Sequence, residues 1–335
     1  MSDRGRLLEI VDRFGDTTVA LLGDLVLDRF ILGTPKRISR EAPVIILRWE
    51  AQRDVPGGGA NALANLSTLG VRALPVAAVG DDEPGAALRS AVERFGIDTS
   101  GIVTVSGFRT PTKVRLLGGG SSSLKHQVAR YDIEDSLPED AGLAARLAEA
   151  AASAAARASG VALSDYGYGT VRPELVDRVR EASADRLWVC VDSRYRLPDF
   201  AGVDGATPNL QELEACAGSA LGTDDDVADA AEALRRGLDA RFLLATRGNR
   251  GMTLVERDRD PIHIPVHGTD EVADVTGAGD TVLAVLTAAL AAGGTPEDAA
   301  RLANIAGGLV VMKLGTATVT AAELRSAVVD GAGDP

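Results

Sequence analysis

The feature that most constrains the fold is an alternation of short apolar runs with amphipathic stretches of helical period. The apolar runs lie at 18–22, 73–79, 160–163, 187–191 and 241–245. Candidate helices lie at 59–69, 83–95, 143–156, 173–182, 277–292 and 296–312. Buried strands that alternate with helices pair in parallel through crossover connections. The pattern predicts an α/β fold, a mostly parallel sheet covered by helices on both faces.

Two regions, at about 30–50 and 110–132, break this alternation because charges interrupt their β-branched and alternating residues. We expect extra strands there, which form a small β lid inserted beside the sheet. No long linker or internal repeat divides the chain, so residues 1–335 are predicted to be a single domain. Strand edges at 44–49 and 114–117 would expose apolar side chains, which predicts a homodimer joined through the lid.

Charge and composition exclude several classes of partner. The 48 acidic and 35 basic residues give a net charge of −13, which argues against a nucleic-acid partner. The most apolar stretch, 282–292, is too short to span a membrane, and residues 1–14 lack an apolar signal core. Cys190 and Cys216 have no metal-ligand spacing. We therefore expect a cytoplasmic protein with reduced cysteines and no membrane partner.

The strongest local motif is the segment 274–280, which reads Asp-Val-Thr-Gly-Ala-Gly-Asp and leads into an apolar helix. Backbone amides of Gly277, Ala278 and Gly279 at a helix N-terminus would form an anion site. A carboxylate beside a phosphate is repulsive unless it takes a proton from an attacking hydroxyl, which makes Asp280 a candidate base. The simpler interpretation is that Asp280 only begins the helix.

A second glycine-rich motif spans residues 57–65. Its first and third glycines, with the alanine at position 62, nearly match the spacing of a dinucleotide-binding loop, which would indicate an oxidoreductase. The motif follows a proline rather than a clean first strand, which counts against that class. The backbone of Gly58 and Gly59 and the amide of Asn61 instead suit sugar hydroxyls. The sequence has no Gly-Lys dipeptide, which excludes a P-loop kinase.

With both glycine motifs in this order, the chain resembles the ribokinase-like (PfkB) carbohydrate kinases. The resemblance implies a ribokinase-like fold, ATP and Mg²⁺ as cofactors, and Asp280 as the base that deprotonates a sugar hydroxyl. Amides of the Gly277 to Gly279 turn would stabilise the transferred phosphoryl group. Some relatives also hold a monovalent cation such as K⁺ beside the loop that contains Asp274.

The resemblance also implies roles for residues outside the glycine turns. Asp28 matches the hydroxyl-binding aspartate of the family, although a loop acid is the simpler interpretation. Asn209 and Glu212 match its Asn-x-x-Glu element, in which Glu212 would act on the metal indirectly, through water; Asn209 alone would be read as a helix N-cap. Segment 246–251 is similar to the nucleotide-phosphate loop, or is an ordinary turn. The nucleotide-binding residues implied in this way are Asn209, Thr246, Gly248 and Asn304.

Within the family, the chain resembles heptose-7-phosphate kinases, the kinase component of ADP-heptose synthesis, over nearly its whole length. The supporting segments are 23–30, 37–44, 164–167, 206–209 and 313–319. The resemblance implies a small-molecule sugar phosphate as substrate, with the anomeric hydroxyl of heptose 7-phosphate accepting the phosphate to give the 1,7-bisphosphate. Another sugar, or a non-catalytic sugar-binding relative, is the alternative that the residues leave open.

A sugar that already carries a phosphate needs a cationic clamp. The substrate-binding candidates beyond the glycine motifs are Lys113, Arg115, Arg130, Asp165, Arg194 and Arg196. Tyr168 stands where the family pattern has lysine, and Ser193 and Arg194 stand where it has proline and lysine. We expect Arg194 to replace the missing lysine. The sequence also lacks a His-x-Gly-His motif, so we expect the nucleotidyl-transfer step to lie elsewhere.

Overall fold

The computed structural model describes residues 3–119, 125–183, 187–268, 273–313 and 315–331. The strands are β1 (Thr18–Gly23), β2 (Leu25–Ile38), β3 (Ile45–Gly58), β4 (Arg72–Gly80), β5 (Ile102–Val105), β6 (Thr112–Gly118), β7 (His126–Ile133), β8 (Gly160–Asp165), β9 (Trp188–Ser193), β10 (Gly205–Ala206), β11 (Phe242–Thr246), β12 (Met252–Glu256) and β13 (Ile262–Ile264). The helices are α1 (Asp3–Asp12), α2 (Gly59–Thr68), α3 (Glu83–Glu93), α4 (Ala141–Ala155), α5 (Glu174–Ala182), α6 (Leu210–Ala217), α7 (Asp224–Gly237), α8 (Ala278–Ala291), α9 (Pro296–Val311) and α10 (Ala321–Gly331).

The main sheet has nine strands in the order β13-β12-β11-β10-β9-β8-β1-β4-β5. All neighbours from β11 to β5 pair in parallel, while β12 pairs antiparallel with both β11 and β13. The carboxyl ends of the parallel strands therefore lie along one edge, where ligands bind in open α/β sheets.

Side chains of the central strands alternate between two apolar layers. On β1, Val19 and Leu21 pack into the layer formed with α1, α2, α3, α8, α9 and α10. Ala20 and Leu22 face the opposite layer, formed with α4, α5, α6 and α7. A central strand buried on both faces has to be apolar at every position, which explains the continuous apolar runs in the sequence. No helix in the described ranges is long and apolar enough to cross a membrane.

Several helices begin at side chains that satisfy free backbone amides. Asp82 accepts from the amide of Gly85 at the start of α3. Thr223 and Thr295 form reciprocal capping boxes at the starts of α7 and α9, and Pro296 follows in the first turn of α9. These starts are local in sequence, because a capping side chain reaches only the next two or three amides.

A second, smaller sheet stands at the carboxyl edge of the main sheet, with the strand order β3-β2-β6-β7. Strand β2 leaves the main sheet after β1, and β3 returns to it and ends where α2 begins. The residues that open β2 are buried, whereas those near its far end are exposed. The small sheet thus projects from the main sheet next to the edge at which its parallel strands end.

The expected α/β fold with a small β sheet is confirmed, and each predicted run and helix corresponds to an element of the structure within a few residues. The elements that were not predicted from the sequence include the helices α1, α6, α7 and α10 and the short strands β10 and β13. One expectation was wrong: residues 114–117 lie on β6, an inner strand between β2 and β7, and Val114 is buried. The reason is that β7 pairs with β6 along its length, so the strand edge that we expected to be exposed is covered.

Candidate active site

A cavity of about 720 Å³ opens between the carboxyl edge of the main sheet and the small sheet. Residues that follow β8, β9, β10 and β11 line one side, β2, β6 and β7 line another, and the start of α8 closes the floor. The predicted site residues that line it are Asp28, Gly58, Lys113, Arg115, Arg130, Asp165, Arg194, Asn209, Glu212, Thr246, Gly277, Gly279 and Asp280. Residues from widely separated parts of the chain therefore share one cavity.

Asp280 lies in the first turn of α8 with only 2% of its surface exposed. Its Oδ1 accepts a hydrogen bond from the Tyr166 hydroxyl at 2.9 Å, and its Oδ2 accepts one from Asn61 Nδ2 at 3.2 Å. It forms no ion pair with any described residue. The carboxylate is thus fixed from both sides by neutral donors and faces the cavity.

Burial raises the pKa of Asp280 to about 7, while the hydrogen bonds from Asn61 and Tyr166 and the positive charge of Lys113 oppose the rise. The carboxylate of Asp28 adds to it. A carboxyl group with a pKa near 7 can take a proton from a hydroxyl and release it again near neutral pH. The environment of Asp280 therefore suits a general base better than a simple helix-start residue.

The turn before α8 brings backbone amides to the cavity. Gly277 has φ +80°, and a Cβ added there would lie 2.4 Å from Asn61 Nδ2, so only glycine fits. The amide of Ala278 donates to the carbonyl of Val275 at 3.3 Å, whereas Gly279 is exposed to the cavity. The amides of Gly279 and Asp280 have no acceptor within the helix, because the first turn of a helix supplies none. This helix start can bind an anion.

Asn61 is oriented by a chain of amide hydrogen bonds. The backbone amide of Val319 donates to Asn65 Oδ1 at 3.2 Å, and Asn65 Nδ2 donates to Asn61 Oδ1 at 3.3 Å. Asn61 Nδ2 is then directed at Asp280 and at the carbonyl of Gly277, both at 3.2 Å. Asn61 and its neighbour Gly59 are buried and do not line the cavity, so in this structure Asn61 contacts the carboxylate rather than open space.

Tyr166 is held by Asp24, a buried residue at the end of β1. The Asp24 carboxylate accepts from the backbone amides of Tyr166, Tyr168 and Thr170 at 3.0, 2.9 and 2.9 Å. The Asp24 carbonyl also accepts from the amide of Gly59 at 3.0 Å, at the start of α2. One residue therefore anchors both segments that carry the donors to Asp280.

The cationic candidates differ in whether the protein already pairs them. Arg115 donates to Asp28 at 2.9 Å, and Arg130 donates to Asp132 through two nitrogens. Lys113 lies over the ring of Tyr166, with 5.2 Å between Nζ and the ring centroid. Among the described residues, Lys113 has no hydrogen bond or ion pair through its ammonium group. Burial lowers its pKa, which the charge of Asp28 opposes.

Asp165 and Arg196 form an ion pair with each other. Asp165 accepts from Ser193 at 2.6 Å and from Arg196 at 2.8 Å. The guanidinium of Arg194 lies 5.8 Å from the ring of Tyr195 and, within the part of the chain that the structure describes, has no side-chain hydrogen bond or ion pair. Of the predicted clamp residues, Lys113 and Arg194 therefore present unpaired charges to the cavity.

Asn209 and Glu212 form a capping box at the start of α6, with reciprocal hydrogen bonds of 3.0 and 2.8 Å. Both line the cavity beside Thr246. Burial raises the pKa of Glu212, and it raises that of Asp192 well above its usual value, with the charges of Glu212 and Asp280 adding to the effect on Asp192.

The structure does not bring every predicted residue to the cavity. Gly248 lies on an exposed turn after β11, and Asn304 is buried on α9 with its amide donating to the carbonyl of Pro265 at 2.8 Å. Neither residue lines the cavity. The glycines at 57 and 58 end β3 of the small sheet, so the near-match to a dinucleotide-binding loop does not follow the first strand of a parallel sheet.

The sequence did not single out Asp24, Tyr166 or Asp192 as site residues, although Tyr166 and Asp192 line the cavity and Asp24 holds the segment that carries Tyr166. Asp24 and Asp192 each come at the end of a buried parallel strand, a position that places side chains at the ligand edge of the sheet. That signal could have selected them. The contact between Tyr166 and Asp280 joins residues 114 positions apart, and no local pattern predicts it.

Comparison with known families gives a match over most of the chain. The family model described as pfkB family carbohydrate kinase matches residues 17–322. The chain is 42% identical over 329 residues to the bifunctional protein HldE of Caulobacter vibrioides, covering 96% of this chain and 65% of that protein. It is 40% identical over 319 residues to the bifunctional protein HldE of Pseudomonas aeruginosa, covering 94% of this chain and 64% of that protein. The chain thus spans just under two thirds of these relatives.

Solved structures share the fold at lower sequence identity. Phosphofructokinase-2 from Escherichia coli, solved in complex with potassium, superposes with a TM-score of 0.75 at 21% identity, covering 93% of this chain and 98% of that one. Ribokinase from Arabidopsis thaliana, solved with ribose and ATP, gives a TM-score of 0.72 at 18% identity with the same coverage. At these identities the likeness shows the fold.

The raised pKa of Asp280 predicts a specific pH dependence of stability. Folding raises this pKa from its ordinary value of 3.8 to about 7. Between these two pH values the folded state holds a proton that the unfolded chain releases. Asp280 therefore makes folding less favourable as the pH rises. We expect the free energy of unfolding of Asp280→Asn, relative to the wild type, to grow by up to about 1.4 kcal/mol per pH unit between about pH 4 and 7, then to level off.

Urea unfolding of both proteins across this window measures the slope. Only the change with pH is interpreted. The difference in the free energy of unfolding at a single pH also contains the altered hydrogen bonds of the new amide with Asn61 and Tyr166. A difference that stays flat from about pH 4 to 7 would show that the pKa of Asp280 is ordinary.

Proposed function

This chain belongs to the pfkB family of carbohydrate kinases, and from that membership we propose that it transfers the γ-phosphate of ATP to a sugar hydroxyl deprotonated by Asp280. The observation that carries the proposal is the position of Asp280. A buried carboxylate with a pKa of about 7 lies in the first turn of a helix whose free amides face the same cavity.

In the proposed reaction, the hydroxyl oxygen attacks the γ-phosphorus of ATP, the bond from that phosphorus to the β,γ-bridging oxygen breaks, and ADP leaves. The hydroxyl proton passes to Asp280. The helix-start amides of Gly279 and Asp280 stabilise negative charge on the transferred group, with Gly277 giving the turn its left-handed geometry. Asp28 and Gly58, which line the cavity on the small-sheet side, orient the sugar. Proximity of the two substrates supplies the remainder of the rate enhancement.

The cavity suits a metal held mainly by the nucleotide. Among the described residues no group of three or more His, Cys, Asp or Glu side chains converges as a protein-only metal site requires. Mg²⁺ characteristically keeps several waters and binds substrate phosphates, and Glu212 lines the cavity where it can hold those waters. Bound Mg²⁺ would neutralise charge on the phosphates. The E. coli phosphofructokinase-2 was solved in complex with potassium, which supports K⁺ as a further cofactor in this proposal, and we place its site beside the Asp274 loop.

The proposed acceptor is the anomeric hydroxyl of a sugar phosphate, with heptose 7-phosphate as the favoured substrate. The similarity to the HldE proteins at about 40% identity supports this choice, as do Lys113 and Arg194, whose charges pair with no described residue. Tyr168, at the position of the family's lysine, donates its hydroxyl to Glu134 at 2.8 Å. The positive charge that this position would supply falls instead to Lys113 and Arg194.

Loss of the base should remove most turnover. We expect Asp280→Asn to lower kcat by about 10² to 10⁴-fold, because the amide cannot take the hydroxyl proton. A panel of sugars and sugar phosphates with coupled detection of ADP measures both the activity and the preferred acceptor. ATP binding by calorimetry should change little, which separates loss of the base from loss of the fold. A variant that keeps kcat within about threefold would refute the role of Asp280.

Removal of the Arg194 charge should affect the phosphorylated sugar selectively. A charge-assisted hydrogen bond contributes about 1.5 to 3 kcal/mol, so Arg194→Ala should raise KM for the sugar phosphate roughly 10 to 150-fold and leave KM for ATP nearly unchanged. Arg109→Ala is the matched control, because Arg109 is exposed and pairs with Asp135 outside the cavity. Preference for an unphosphorylated sugar, or an unchanged kcat/KM in Arg194→Ala, would replace the heptose-phosphate assignment by a general carbohydrate kinase.

We also propose a homodimer joined through the small sheet. The edge strand β3 exposes large apolar side chains, and its Trp49 is 65% exposed. Ile38 and Val44, which precede β3 in the sequence, are also exposed. Light scattering should give twice the mass of the 34.6 kDa chain at micromolar concentration. Trp49→Glu should shift this equilibrium toward the monomer, because it puts a charge into an apolar contact. A wild type that stays monomeric would contradict the dimer and leave the kinase proposal intact.

A further inference from the structure

Two neutral donors hold the carboxylate of Asp280, and they differ in what they can do for a base. Asn61 also donates to the carbonyl of Gly277, at 3.2 Å, so its amide is shared between two acceptors. Tyr166 donates only to Asp280 among the described residues, at 2.9 Å. The shorter, unshared hydrogen bond from Tyr166 is therefore the stronger constraint on the carboxylate.

The Tyr166 hydroxyl is buried beside two carboxylates, which favours the protonated phenol that donates to Asp280. Burial, together with the charges of Asp280 and Asp192, raises the pKa of the Tyr166 phenol well above its usual value. The phenol stays protonated, and its hydrogen bond to an ionised carboxylate is stronger than one to a neutral carboxyl group. A donor of this kind stabilises the state of Asp280 that accepts a proton and fixes the carboxylate in one rotamer.

The support behind Tyr166 is specific. Asp24 accepts three backbone amides of the segment 166–170, and its carbonyl accepts the amide of Gly59. Tyr166 and Asn61 are therefore set relative to each other by one buried residue. Its substitution would move both donors, whereas removal of the Tyr166 hydroxyl changes one hydrogen bond and leaves the ring beneath Lys113.

We propose that Tyr166 is the positioning residue of the base: its hydroxyl, anchored through Asp24, favours the ionised form of Asp280 and directs the carboxylate at the substrate hydroxyl. This inference rests on the proposed function of Asp280. The other charged or titratable groups that act on Asp280 or on Tyr166 are Asp28 on β2, Lys113 on β6, and Asp192 and Arg194 at and after the end of β9. All of them are retained when only the hydroxyl of Tyr166 is removed.

The test is the pH profile of kcat/KM for Tyr166→Phe. The wild type should lose activity on the acid side with an apparent pKa of about 7, as Asp280 becomes protonated. A lost hydrogen bond to a charged group corresponds to a rise of about one pKa unit, so the acid limb of Tyr166→Phe should move to about pH 8. Near pH 6.5 this gives roughly tenfold lower kcat/KM than the wild type, and above about pH 9 the difference should shrink to about threefold or less.

Tyr168→Phe is the matched control, because Tyr168 lies in the same anchored segment but its hydroxyl donates to Glu134. Its acid limb should coincide with that of the wild type. A purely structural role for Tyr166 would lower activity equally at all pH values. An acid limb that stays in place in Tyr166→Phe overturns the inference.

A second variant keeps the inference open to refutation if Tyr166→Phe folds poorly. Site-specific 3-fluorotyrosine at position 166 preserves the ring and makes the phenol a stronger donor, so it should move the acid limb below that of the wild type. An unmoved or raised limb would contradict the inference. If the wild type transfers no phosphate to any sugar, or if Asp280→Asn remains active, the proposed function fails and this inference with it. If the wild type is active and Asp280→Asn is not, an acid limb that fails to move in Tyr166→Phe contradicts the role of Tyr166 alone.

Discussion

The site depends on one buried carboxylate that the protein holds with neutral donors instead of a cation. An unpaired ionised carboxylate is costly to bury, and its pKa rises until the neutral form is as stable as the charged one near pH 7. An arginine in place of Tyr166 would stabilise the charge more strongly and lower the basicity of Asp280. The donors Asn61 and Tyr166 hold the group in position and leave it able to accept a proton.

The fold supplies these donors from separate elements: Asn61 lies on α2, after β3 of the small sheet, and Tyr166 follows a strand of the parallel sheet. Asp24 follows β1, Tyr166 follows β8, and the turn into α8 approaches the same edge from the other end of the chain. The small sheet adds cations from β6 and the carboxylate of Asp28. Acidic and basic groups meet in one cavity, in which the protein neutralises Arg115 and Arg130 and leaves Lys113 and Arg194 for a ligand.

Much of this arrangement is predictable from the sequence, and the parts that are not have different causes. Continuous apolar runs predicted the central strands, and capping residues with helical periodicity predicted most helices. The glycine turn at 277–279 predicted that a helix begins there and faces the cavity, because that signal is local. The sequence does not predict which arginines are paired or that Tyr166 contacts Asp280, because both depend on contacts between distant segments. The strand β10, with two residues, is too short to leave a periodic pattern.

The role of Asp280 as a base is tested most directly by the titration of its own carboxyl group. Carbon-13 NMR of protein labelled at the aspartate γ-carbon, with the signal assigned by its loss in Asp280→Asn, follows this group without turnover or substrate. If burial outweighs the two donors as described, the midpoint lies near pH 7. A midpoint near the ordinary value of 3.8 would show that Asp280 is solvated and is not the poised base on which the proposed reaction depends.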